Sequence, residues 1–210
     1  MAGLAIVDYG MGNLHSIAKA CERAGPGVRV TVTREAAVLA RADRVVFPGV
    51  GAIRHCMAEL ERLELVEPLR RAAAEKPFLG ICLGMQALLE HSEENEGVDT
   101  LGFFPGRVRR FPAGLAEAGR PLKIPHMGWN RVHQVPHPLW DGIAQDSWFY
   151  FVHSYYADPA DPAHVTGRTE YGIEFASAIG RDNLFAVQFH PEKSQQAGLR
   201  LLANFMAWNP

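Results

Sequence analysis

The chain has 210 residues, enough for one sizeable domain with its own core. Hydrophobic residues make up 48% and charged residues 21%, and the formal net charge of -2 gives no electrostatic reason to expect a nucleic-acid or membrane partner. Cys21, Cys56 and Cys82 are an odd number with no C-x-x-C pair, which argues against a disulfide framework and a zinc site. No apolar run reaches the ~20 residues that span a bilayer, and the first ten residues read as a buried strand rather than a cleavable signal. A cytoplasmic location is expected.

In chain order, residues 4–7 form an apolar strand pattern. Asn13 can cap a helix whose stripe is Leu14, Ile17, Ala18 and Cys21, and Gly25 ends it. A strand over 28–32, a short helix over 35–40 and a strand over 44–47 follow. Ile53, Met57, Leu60 and Leu63 make another helical stripe; after Pro77 come a strand over 78–81 and a helix over 85–90. This rhythm predicts an α/β fold of three layers, an open, mostly parallel twisted sheet with helices on both faces. Residues 111–146 predict loops and short strands, and the apolar runs 148–152, 165–169, 175–179 and 184–189 predict a smaller antiparallel sheet. Residues 180–183 read as a hairpin turn, and Ser194 as the cap of a closing helix bearing Leu201, Leu202, Phe205 and Trp208. With no repeat and no linker, residues 1–210 are expected to form one domain.

Three stretches carry chemistry. Gly80-Ile81-Cys82-Leu83-Gly84 lies between a strand and a helix pattern, where a nucleophile is held on a tight turn and needs small neighbours. The amide after it points into the site, and a helix N-terminus favours the thiolate. The competing reading is a small buried thiol, which is how Cys21 and Cys56 read on their helical faces. Phe189-His190-Pro191-Glu192 ends the last apolar run; two apart in an extended segment, His190 and Glu192 project to one side as base and orienter. A strand-end histidine beside a solvated glutamate is the plain alternative. Pro48-Gly49-Val50-Gly51 follows the strand ending at Phe47, and its glycines allow amides to turn toward a developing oxyanion.

Together, Gly-Ile-Cys-Leu-Gly-Met-Gln (80–86), Phe-His-Pro-Glu-Lys-Ser (189–194) and Pro-Gly-Val-Gly (48–51) resemble the class I, triad-type glutamine amidotransferases. Asp-Tyr-Gly-Met-Gly-Asn-Leu (8–14), Pro-His-Met-Gly-Trp-Asn (125–130) and Tyr-Phe-Val-His-Ser-Tyr (150–155) are similar to the glutaminase subunits of imidazole glycerol phosphate synthases. The resemblance implies a glutaminase with Cys82 as nucleophile, His190 as base and Glu192 as orienter. It implies an oxyanion hole at Gly49, Val50, Gly51 and Leu83, and substrate contact at Gln86. It also implies a heterodimer with a (β/α)8-barrel cyclase that receives the ammonia, with Asn13, Trp129, Tyr150 and Lys193 at or near the interface. Each of these four has a plain alternative: helix cap, core aromatics and a solvated charge. Ile53 stands where many relatives carry Phe, and Arg54 follows it, so the pocket wall is expected to differ there. No cofactor or metal is expected, since His126, His133, His137, His153 and His164 fit no ligand spacing. Three other readings stay open: a glutaminase for a different synthase, a free-standing cysteine γ-glutamyl hydrolase, and a silent assembly subunit.

Overall fold

The computed structural model describes residues 3–210. Its first half alternates strands and helices: β1 (Gly3–Val7), α1 (Leu14–Ala24), β2 (Arg29–Thr33), α2 (Ala36–Arg41), β3 (Arg44–Gly49), α3 (Ile53–Arg62), α4 (Val66–Glu75), β4 (Phe78–Cys82) and α5 (Leu83–Gln86). Strands then dominate: β5 (Leu89–Ser92), β6 (Val98–Asp99), β7 (Phe104–Arg110), β8 (Ala116–Glu117), β9 (Arg120–Pro121), β10 (His126–Arg131) and β11 (His133–Gln134). After β12 (Trp148–His153), β13 (Tyr155–Pro159), β14 (Val165–Glu170), β15 (Glu174–Arg181) and β16 (Leu184–Val187), the chain closes with α6 (Gln195–Ala207).

The main sheet runs β2-β1-β3-β4-β16-β15-β13-β7-β5-β6, with β14 paired to β15 and β11 to β14. Its first five strands are all parallel, and the next pairings, from β16 through β15 and β13 to β7, are antiparallel. The expected α/β architecture is present, with its parallel character concentrated where the three chemistry-bearing stretches lie. β10 and β12 form a separate antiparallel ribbon.

Period-two alternation makes the two faces. Leu4, Ile6, Val46, Leu79 and Ile81 pack on one side with Ile17 of α1 and Leu201, Leu202 and Phe205 of α6. Ala5, Val7, Val45, Phe47 and Phe78 pack on the other with Ile53, Met57 and Leu60 of α3 and Leu69 of α4. Strands buried on both faces by crossover helices read as continuous apolar runs, as residues 4–7 and 44–47 do. Arg44 is a buried exception: its guanidinium donates to the carbonyls of Phe205 (3.1 Å) and Trp208 (2.6 Å), closing the C-terminus of α6.

Several expected elements differ. The helix predicted over 85–90 is a single turn, α5, and Leu89 begins a strand. The carbonyls of Ala87, Leu88 and Leu89 accept from the loop 101–103 and from Phe104 at the start of β7, and β5 pairs with β7, so these partners displace the helix. α4 and β13 are elements additional to those predicted. Glu64, at φ 55, separates α4 from α3. Ser194 occupies the first position before α6 but its hydroxyl caps nothing there. It donates to His190 O (2.6 Å) and accepts from Tyr150 N (3.0 Å), tying β12 to the segment after β16.

Candidate active site

The register of three adjacent parallel strands assembles the site. Gly49 of β3 sits opposite Cys82 of β4, and Val187 of β16 sits opposite Ile81. The C-terminal ends of β3, β4 and β16 therefore open onto one place, where ligands of open α/β sheets gather.

Cys82 ends β4 with φ 55 and ψ -110, a backbone region that costs a non-glycine residue ~1–3 kcal/mol. The turn projects the side chain at the N-terminus of α5 while leaving it only 6% exposed. Gly84 makes this turn possible: a Cβ at that position would overlap the carbonyl oxygen of Phe47. Cys21 and Cys56 are buried too, and burial pushes both thiols up to about 12. They read as packing residues, as expected.

His190 is 2% exposed. Its Nδ1 lies 2.8 Å from Glu192 Oε1, with both side chains almost wholly buried. The pair meets by a route other than the extended one predicted, since residues 191–193 form a turn of 3-10 helix. That turn brings a residue two positions on back beneath the ring. The ring's Nε2 is buried without a hydrogen-bond partner, and Cys82 lines the same cavity as His190. Burial opposes charge on the imidazole, but Cys82 and then Glu192 outweigh it and push His190 up to about 10. Sulfur, imidazole and carboxylate are thus gathered at one place, a set able to serve as nucleophile, base and orienter.

The thiol opens into a cavity of about 300 Å³ lined by Val50, Gly51, Leu83, Gln86, Glu94 and His153, among others. Val50 is partly exposed, and Gly51, at φ 92, lets the chain turn beside the sulfur. Glu94 accepts from Ile53 N (3.0 Å) and so ties the start of α3 to this wall. Ile53 itself is fully buried, and Arg54 points away to the carbonyls of Asn95 and Gly97. Gln86 is committed through its nitrogen to Tyr155 O and Gln188 Oε1, each at 3.0 Å.

Of the residues assigned to a partner surface, Asn13 is exposed and accepts from Ser16 N (3.3 Å), acting as the cap of α1. Trp129 is 43% exposed and packs edge-on against Tyr150, whose ring lies 5.5 Å from Lys193 Nζ. With Met127 exposed on the same strand, these side chains form an open apolar patch. Glu94 and Gln188 carry no motif signal of the kind that marked Cys82, and His153 falls within the stretch 150–155 without a role assigned to it there. The signal for Gln188 is its place, the one polar residue in the apolar run 184–189. His126 and His153, which fit no ligand spacing in the sequence, adjoin in the fold: Nδ1 of His126 is 3.0 Å from Nε2 of His153.

A strained cysteine at a strand-to-helix turn, with a histidine and a glutamate just beyond the end of the neighbouring strand β16, is suited to nucleophilic cleavage of an amide. Consistent with this, residues 5–208 match glutamine amidotransferase class-I, and the chain belongs to that family. It is 65% identical to imidazole glycerol phosphate synthase subunit HisH of Methylococcus capsulatus, covering 100% of this chain and 98% of that protein. It is 59% identical to subunit HisH 1 of Pseudomonas aeruginosa, again over 100% and 98%. Among solved structures, PurLQS from Thermotoga maritima superposes with a TM-score of 0.75 at 15% identity over 98% of each chain, a likeness of fold.

Proposed function

We propose that this chain is the glutaminase subunit of a cytoplasmic imidazole glycerol phosphate synthase, acting as one domain over residues 1–210. The observation that carries this reading is the 65% and 59% identity to HisH proteins over the whole chain, in a chain whose cysteine, histidine and glutamate gather at the C-terminal ends of adjacent parallel strands.

Cys82 thiolate attacks the side-chain carbonyl carbon of glutamine, with its proton held by His190. Glu192 fixes the ring through Nδ1 and favours its charged form. Amides of the Gly49-Val50-Gly51 stretch and of Leu83 stabilise the tetrahedral oxyanion, where one donor is worth ~10²–10³ in rate. His190 protonates the departing ammonia and then activates a water that hydrolyses the glutamyl thioester, so glutamine and water give glutamate and ammonia. Gln86 contributes to the substrate wall. Ammonia released into water is protonated and loses its nucleophilicity, so it passes directly to a (β/α)8-barrel cyclase docked on the face bearing Asn13, Trp129, Tyr150 and Lys193. No helix among the described residues is long and apolar enough to cross a membrane.

Cys82→Ala tests the reading in the reconstituted complex. Glutamine-dependent synthesis should be lost while synthesis from added ammonium survives. Loss of both would mean the chain supplies something other than nitrogen, and retention of both would remove Cys82 from the chemistry.

A further inference from the structure

The side chain of Gln188 has no role in the mechanism above, yet it is fully buried and reaches the reacting sulfur. It continues β16 by one residue beyond Val187, beside Cys82 at the end of β4. Its Nε2 lies 3.7 Å from Cys82 Sγ.

Oxygen and nitrogen of a side-chain amide are interchangeable in shape, so the direction of this contact must come from its partners. Here a backbone carbonyl decides it. Tyr155 O can only accept, and it does so from Gln86 at 3.0 Å and from His153 Nδ1 at 2.8 Å. Gln86 must therefore present its NH₂ group to Tyr155. The same nitrogen lies 3.0 Å from the Gln188 amide. Two NH₂ groups facing each other would leave donors unpaired in a buried site, so Gln188 turns its oxygen to Gln86. Its NH₂ is then left pointing at the sulfur.

We propose that Gln188 is a further catalytic residue of the Cys82 site, donating an N–H to the thiolate, and that Gln86 and the Tyr155 carbonyl hold it in the donating orientation. The proposal rests on the reading of Cys82 as nucleophile. A donor aimed at sulfur favours the ionised thiol before substrate arrives, and it does so without supplying a proton acceptor that would compete with His190. Gln86 acquires a second role as a positioning residue, with both of its N–H groups already spent.

The test is the pH dependence of iodoacetamide alkylation of Cys82 in the full chain, read by mass spectrometry of its peptide. Cys21 and Cys56 are buried and held up to about 12, so they add little background. Gln188→Glu keeps an acceptor for Gln86 but removes the donor; Gln188→Met removes both. The other polar groups around the sulfur, His190 with Glu192 behind it, Tyr9, and His153, Tyr155 and Glu94 across the cavity, stay unchanged. Both variants should move the midpoint of alkylation upward by about one pH unit, or roughly tenfold slower reaction near neutrality. Gln86→Met should move it the same way by less. A folded variant whose melting temperature falls but whose midpoint stays at the wild-type value would assign Gln188 to packing alone and overturn the proposal. If neither Gln188 variant folds, the side-chain amide NMR signal of Gln188 in the unaltered protein decides: it should shift when Cys82 is alkylated, and an unmoved signal overturns the proposal. The underlying reading fails separately, through glutamine-dependent activity that survives Cys82→Ala.

Discussion

At Glu192 one contact adds to the larger effect of Cys82 on the pH behaviour of the site. The carboxylate sits 2.8 Å from His190 Nδ1 and is one of two groups that hold the ring charged against its burial. A raised folded-state pKa means stability that is complete below the unfolded value, ~6.5, and lost as pH rises toward about 10. Replacing Glu192 by Gln keeps the hydrogen-bonding shape but removes the charge, so His190 should lose its proton at lower pH. The alkaline limb of the glutaminase pH profile is expected to move down by about one unit, with kcat reduced ~10²-fold or more. An unchanged limb would take Glu192 out of the role of orienter.

Between strand and helix, the turn at Cys82 depends on close approach. Gly84→Ala places a methyl group against the Phe47 carbonyl, on the strand that also carries Gly49. Urea unfolding should show a loss of about 1–3 kcal/mol, with activity falling further than stability because the thiol and the Gly49–Gly51 stretch shift against each other. Wild-type stability and activity would show that the turn relaxes freely. The same elements explain what the sequence made legible. The parallel strands announce themselves because burial on both faces demands unbroken apolar runs, and Gly80 and Gly84 bracket Cys82 because the turn excludes larger side chains. Helix length after Cys82 was illegible, since Met85 to Leu89 suits a buried helix or a buried strand alike, and the pairing of β5 with β7 decides it. The contact between His190 and Glu192 was legible as a pair but not as a geometry, because Pro191 starts a 3-10 turn rather than continuing a strand.

Across the molecule, several buried histidines set a pH optimum for stability. Burial holds His126 down to about 4, and His153 down to about 3 with the Tyr155 carbonyl opposing. A depressed folded-state pKa means that stability is complete above ~6.5 and lost as pH falls below it. His190 has the opposite sign, so the histidines together place maximal stability near pH ~6.5. Thermal melts should show the midpoint falling by roughly 5 °C or more between pH ~6.5 and ~5, before most carboxylates titrate. A flat profile across that window would mean that these rings are hydrated. None of this was readable from spacing: His126 and His153 are 27 positions apart and meet only because β10 pairs with β12.

Everything in the functional account converges on which thiol captures the amide carbon. Inactivation by a chloroketone analogue of glutamine, with the labelled peptide identified by mass spectrometry, tests this most directly. One label should appear on Cys82, in step with the loss of glutamine-dependent activity and blocked by excess glutamine. Full inactivation with Cys82 unmodified, or label gathering on Cys21 or Cys56 instead, would contradict it.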